Sequence, residues 1–68
     1  MRDVLSRRER QIVKLIADGF SSREIAENLS VSPRTIEAHR ANIYRKLGMH
    51  NLAELIKYAI KNGIAAVD

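Results

Sequence analysis

The chain has 68 residues, 46 % hydrophobic and 29 % charged, with 12 Lys or Arg against 8 Asp or Glu, a formal charge of +4 and no cysteine. That length allows one small domain with little surface to spare for walling a substrate cavity, and the lack of cysteine removes disulfide staples, zinc knuckles and Cys nucleophiles together. No apolar run approaches the roughly 20 residues of a membrane span, the opening MRDVLSRRER lacks the apolar stretch of a signal peptide, and the composition is too apolar for disorder, which leaves a compact, basic, soluble domain expected to bind something acidic.

Residues 1–5 read as a loose end. Ser6-Arg7-Arg8-Glu9 then fits a capping box, in which a Ser oxygen and a Glu carboxylate satisfy free amides reciprocally. It opens a helix over 7–18 with an apolar stripe at Ile12, Leu15 and Ile16, followed by Phe20, and Gly19 marks its end. Ser21-Ser22-Arg23-Glu24 repeats the box for a helix over 22–29, with Phe20 and Ile25 placed as a hydrophobic staple and Ile25, Ala26 and Leu29 as the apolar set. Ser32-Pro33 is a cap followed by proline at the first helical position, where its missing N–H costs nothing. The third helix covers 33–47, buries Ile36, Ile43 and Leu47, and stops at Gly48. Asn51 with Glu54 opens a fourth helix over 52–62, with Leu52, Leu55, Ile56, Ala59 and Ile60, ended by Gly63. Residues 65–68 form the other loose end. No alternating strand pattern competes, and Asn62-Gly63, a hairpin turn in another setting, precedes only a short Ala-rich tail. The expected fold is all-α, one domain of four helices, and these apolar stripes are its core.

The second and third helices are joined only by Leu29-Ser30-Val31-Ser32, the short turn of a helix-turn-helix. Ala26 is small enough to stand where two steeply crossed axes approach. The charge is concentrated beside this turn. Residues 32–50 hold four basic groups against one acidic, residues 1–18 five against three, residues 19–31 one against two, and residues 51–68 two of each. At about 100° per residue, Ile43 and Leu47 fall within about 20° of Ile36, while Arg34, Ala38, Ala41 and Arg45 fall on the far side, flanked by Glu37 and Asn42. A merely solvated face would carry long Lys and Glu chains throughout. Two Ala between two Arg suit a helix that approaches base edges, since Ala can touch a thymine methyl and Arg34 can meet guanine bidentately. Arg45 and Lys46, Thr35 at the helix start, and Ser22 and Arg23 on the preceding helix are the expected phosphate contacts.

Leu5-Ser6-Arg7-Arg8-Glu9, Glu24-Ile25-Ala26, Leu29-Ser30-Val31-Ser32, Thr35-Ile36 with His39, and Lys46-Leu47-Gly48 followed by Ala53-Glu54-Leu55 resemble the LuxR-type DNA-binding domain. The stretch from Ser32 to Arg40 is most similar to the FixJ/NarL response-regulator branch. The resemblance covers about residues 4–64 and implies a four-helix domain that binds double-stranded DNA as a homodimer, a transcription regulator in the cytoplasm. The third helix would enter the major groove and the fourth would pair two subunits. In such relatives the domain is usually the output half of a two-component regulator, and some members stand alone; RNA polymerase is a further implied partner. The implied base-reading positions are Arg34, Glu37, Ala38 and Ala41. Many relatives carry Lys in place of Glu37, which either accepts from cytosine N4 or holds Arg34 or Arg40. Arg40 itself either bridges to the first helix or touches DNA. The fourth helix carries an apolar arc of about 160°, and its edge at Ala53, Lys57, Ile60 and Ile64 is the expected dimer face.

Rival readings are the promoter-reading terminal region of a sigma factor, which needs no fourth-helix seam, and a helical protein-interaction module with no DNA role. His39 and His50 stand eleven residues apart without cysteine and make no metal site. The serines are accounted for by caps and turns, so no catalytic triad is expected. No Gly-rich phosphate loop, cofactor, membrane partner or enzymatic activity is expected.

Overall fold

A computed structural model of the chain describes residues 4–65. Its helices are α1 (Arg7–Ala17), α2 (Ser22–Leu29), α3 (Pro33–Leu47) and α4 (Leu52–Lys61), with no strand among the described residues. All four begin where the caps predict, and α1 and α4 stop one residue earlier than expected. Ser6 Oγ accepts from the Glu9 N–H at 3.1 Å while the Glu9 carboxylate accepts from the Ser6 N–H at 2.8 Å. Ser21 and Glu24 repeat this at 3.2 and 2.8 Å. Ser32 Oγ accepts from the Thr35 N–H at 3.2 Å, with Pro33 in the first turn. At α4, Asn51 Oδ1 accepts from the Glu54 N–H, but the Glu54 carboxylate takes the N–H of His50, one residue before the position a capping box uses.

The helix ends share one closure. Past α1, the Gly19 N–H donates to Ile16 and the Phe20 N–H to Leu15; past α3, Gly48 donates to Arg45 and Met49 to Tyr44; past α4, Gly63 donates to Ile60 and Ile64 to Ala59. These are the paired 5→2 and 6→1 bonds of a Schellman motif, with the left-handed residue satisfying carbonyls the helix leaves free. At α2 the same pair of bonds, Ser30 to Glu27 and Val31 to Ala26, runs through a left-handed Ser30 at φ 59°.

α1 packs against each of the other three helices, α2 against α3, and α4 chiefly against α1. The core is Leu5, Ile12, Val13, Ile16, Ile25, Ala26, Ile36, Ile43, Leu55, Ala59 and Ile64, with Leu15, Leu29, Tyr44, Leu47 and Tyr58 packed partly buried against it. Ala26 is 1 % exposed, as a close crossing of α2 and α3 requires.

Three expectations about the chain ends are corrected. Leu5, assigned to a loose end, is buried. Ile64, assigned to the outer edge of α4, is buried as well. Its expected position extended the helical period past residue 61. The chain instead turns at Gly63, and the residue after the turn folds back over Ala59, the usual hydrophobic contact of this closure. The expected loose end at 65 begins with a bonded residue, Ala65 N–H to the Ala59 carbonyl, and positions 66–68 lie outside the described residues.

Candidate nucleic-acid interface

The site is built on α3. Ile36 and Ile43 are fully buried and fix the helix's rotation, so residues on its far side are turned away from the domain. Arg34, Glu37, Ala38, Ala41 and Arg45 are all exposed. Exposed Ala on a helix is unremarkable by itself; two of them between two Arg leave a shallow strip with cationic ends. Among the described residues, neither Arg34 nor Glu37 has a side-chain hydrogen bond or ion pair. Arg45 donates to Asn42 Oδ1 at 2.7 Å, which holds the guanidinium along the helix surface.

The flanks of α3 are tied to its neighbours. On one side Arg40 donates to Ser22 Oγ at 3.3 Å, joining α3 to the first turn of α2. Of the two alternatives for Arg40, a bridge to the first helix or a contact with DNA, the free domain shows neither, but a bridge to the second helix. Ser22 is half-buried and Arg23 exposed, both in the first turn of α2. Thr35 is exposed, with its hydroxyl 3.0 Å from that of Ser32.

On the other side Lys46, an expected phosphate contact, is engaged within the domain. Its ammonium donates to the Glu9 carboxylate at 2.8 Å, across 37 positions of sequence, and so ties the last turn of α3 to the first turn of α1. Glu9 is the one buried charged residue among those described, and it also caps α1 through Ser6. The Lys46 hydrogen bond, the Ser6 amide and the attraction of the ammonium outweigh burial and hold the Glu9 carboxyl below its ordinary range. The sequence contained a signal that Glu9 needs a cation, though not which one. Glu9 lies seven residues before Ile16, near the middle of the apolar face of α1, and a carboxylate there requires a cation.

α4 shows an apolar strip to solvent. Leu52 is 46 % and Ile60 39 % exposed, Ala53 and Lys57 are exposed, and Ile56 is half-buried between them. Leu52, at the end of α4 opposite to Ile64, belongs to this exposed strip.

Comparison with known proteins gives this arrangement its family. The model of the bacterial regulatory proteins, luxR family, matches residues 3–59. The chain belongs to the LuxR family of bacterial regulatory proteins. Similar curated proteins include the Fimbriae Z protein of Salmonella typhimurium, 53 % identical over 55 residues, covering 81 % of this chain and 26 % of that protein. The oxygen regulatory protein NreC of Staphylococcus aureus is 50 % identical over 58 residues, covering 85 % of this chain and 27 % of that protein. The chain thus spans about a quarter of the length of these relatives. Among solved structures, the transcription factor GerE superposes with a TM-score of 0.86 at 30 % identity, over 98 % of this chain and all of that one. The LuxR-family domain described here is a DNA-binding domain of transcription regulators, as its helix-turn-helix implied. The family is a regulatory class rather than an enzyme class, and its match decides against the sigma-factor and DNA-independent readings. No described helix is long and apolar enough to cross a membrane.

Proposed function

We propose that the domain reads a DNA operator as a homodimer, with α3 lying in the major groove of each half-site. Arg34, Glu37, Ala38 and Ala41 face base edges, and Ser22, Arg23, Thr35 and Arg45 meet the flanking phosphates. Lys46 is left out of this set because Glu9 holds it. The observation that carries the reading is the outward strip of α3, exposed along its length and bounded by Arg34 and Arg45. Arg34 sits in the first turn, the part of a recognition helix that contacts base edges, and its guanidinium is not engaged elsewhere. A second copy pairs through the strip of Leu52, Ala53, Ile60 and Lys57 on α4.

By its likeness to these relatives, we read the chain as the output domain of a two-component response regulator or as a standalone regulator. Such a regulator acts on cytoplasmic DNA, where RNA polymerase is the natural second partner. The reading needs no catalytic group and no cofactor. The test is Arg34→Ala. Specific affinity falls by about 1–3 kcal/mol and the preference at one base position relaxes, while the fold is retained. A selection from random duplexes that returns the parent's sequence preference would remove Arg34 from base reading.

A further inference from the structure

Glu37 is the anomaly of the DNA-facing surface. It is the only acidic residue between positions 28 and 53, and it stands in the second turn of α3 on the exposed side. A carboxylate there is repelled by every phosphate nearby. Two internal cations could neutralise it, Arg34 three residues before and Arg40 three residues after, both within reach on a helix. Neither does. Arg40 is turned to Ser22, at 3.3 Å, and Arg34 makes no bond to Glu37. In the free domain Glu37 therefore holds neither arginine, and its carboxylate has no partner among the described residues.

An ionised carboxylate only accepts hydrogen bonds. The major groove offers it few donors, the N4 amine of cytosine and the N6 amine of adenine, and cytosine N4 is the one carboxylates pair with. We infer that Glu37 is a specificity-determining residue that selects cytosine in the operator and weakens binding everywhere else. The inference rests on the reading of α3 as the groove-entering helix and deepens it. At a cytosine-bearing site the repulsion is offset by a hydrogen bond made in a site emptied of water. At any other sequence the same charge meets acceptors and phosphates with no return. Specificity is a difference of affinities, and an element that repels wrong sequences raises it without raising affinity for the right one. The two Ala at 38 and 41 fit this division of labour, because they add closeness but no hydrogen bonds that would compete with the choice made at 37.

The experiment compares the parent, Glu37→Gln and Arg34→Ala by selection from random duplexes and by titration of one non-cognate duplex. Glu37 is exposed, and circular dichroism checks that the fold is kept. The parent is expected to select cytosine at one position of each half-site by about fivefold or more. Glu37→Gln loses that preference or moves it to adenine, which Gln can pair bidentately, and binds the non-cognate duplex about threefold more tightly or better, since one repulsive charge is gone. Arg34→Ala changes a different position. An E37Q variant with the parent's sequence preference, or with unchanged or weaker non-cognate binding, overturns the inference while a shifted R34A preference leaves the role of α3 standing. If neither variant changes the selected sequences, both fail.

Discussion

Glu9 connects a local rule to a distant one. Its carboxylate closes the capping box of α1 and also receives Lys46 from the far end of α3, so one side chain ties the two helices together. Its pKa is lowered, chiefly by the Lys46 hydrogen bond. The pair contributes stability that is fully present above the ordinary glutamate value, about 4.3, and is lost as pH falls through the lower value in the folded domain. Lys46→Met leaves a buried carboxylate with only the Ser6 amide. The cost expected is about 1–2 kcal/mol, below that of a fully buried pair because the Lys46 side chain is 43 % exposed. Urea unfolding should show this loss at pH 7 and a smaller loss of stability than the parent on going to acid. The same variant should keep the parent's salt slope for DNA binding, whereas a lost phosphate contact would lower that slope by about 1. At this scale the reading from sequence saw Glu9 as a cap and Lys46 as a phosphate contact. Periodicity places each on its own helix, but the pairing of α1 with α3 is a property of packing, which no local pattern encodes.

The elements themselves were legible because their ends are chemical. Ser6, Ser21, Ser32 and Asn51 each accept from the amide three residues on, and three glycines mark three ends. The fourth end was less visible because Ser30 does what a glycine usually does. A left-handed conformation costs an L-residue about 1–2 kcal/mol, and Ser30 bears it at the turn of the helix-turn-helix, φ 59° and ψ 43°. Ser30→Gly relieves that strain and adds some unfolded-state entropy in return. The net expectation is a gain of about 0.5–1 kcal/mol, or a Tm higher by roughly 2–8 °C in a domain of this size. Thermal melting checks it; an unchanged or lower Tm would show that the turn is not strained at this residue. Ile64 is the converse lesson. It kept the helical period in the sequence and lost it in space, because Gly63 redirects the chain before the next turn of α4 can form.

For the whole molecule, size limits what one copy can do. The domain measures 30 × 27 × 22 Å, and half-sites one helical turn apart are centred about 34 Å from each other. On the proposed dimeric reading one copy covers one half-site. Two copies in contact end to end span less than two turns, so the operator's half-sites are expected about one turn apart. The surface proposed for that contact is the strip on α4, which is left open because α4 leans chiefly on α1. From the sequence its width was readable as an arc too broad for one core contact, but the side that α1 takes was not. Ile60→Glu tests the seam. At 39 % exposure the change is tolerated by the fold, and in a two-fold interface each substitution appears twice, bringing two carboxylates together. Sedimentation is expected to show weaker self-association. Binding to paired half-sites should fall by about tenfold or more, while binding to a single half-site stays within about twofold of the parent. Equal losses on single and paired sites would place Ile60 outside the contact and leave the second copy to be joined through another face.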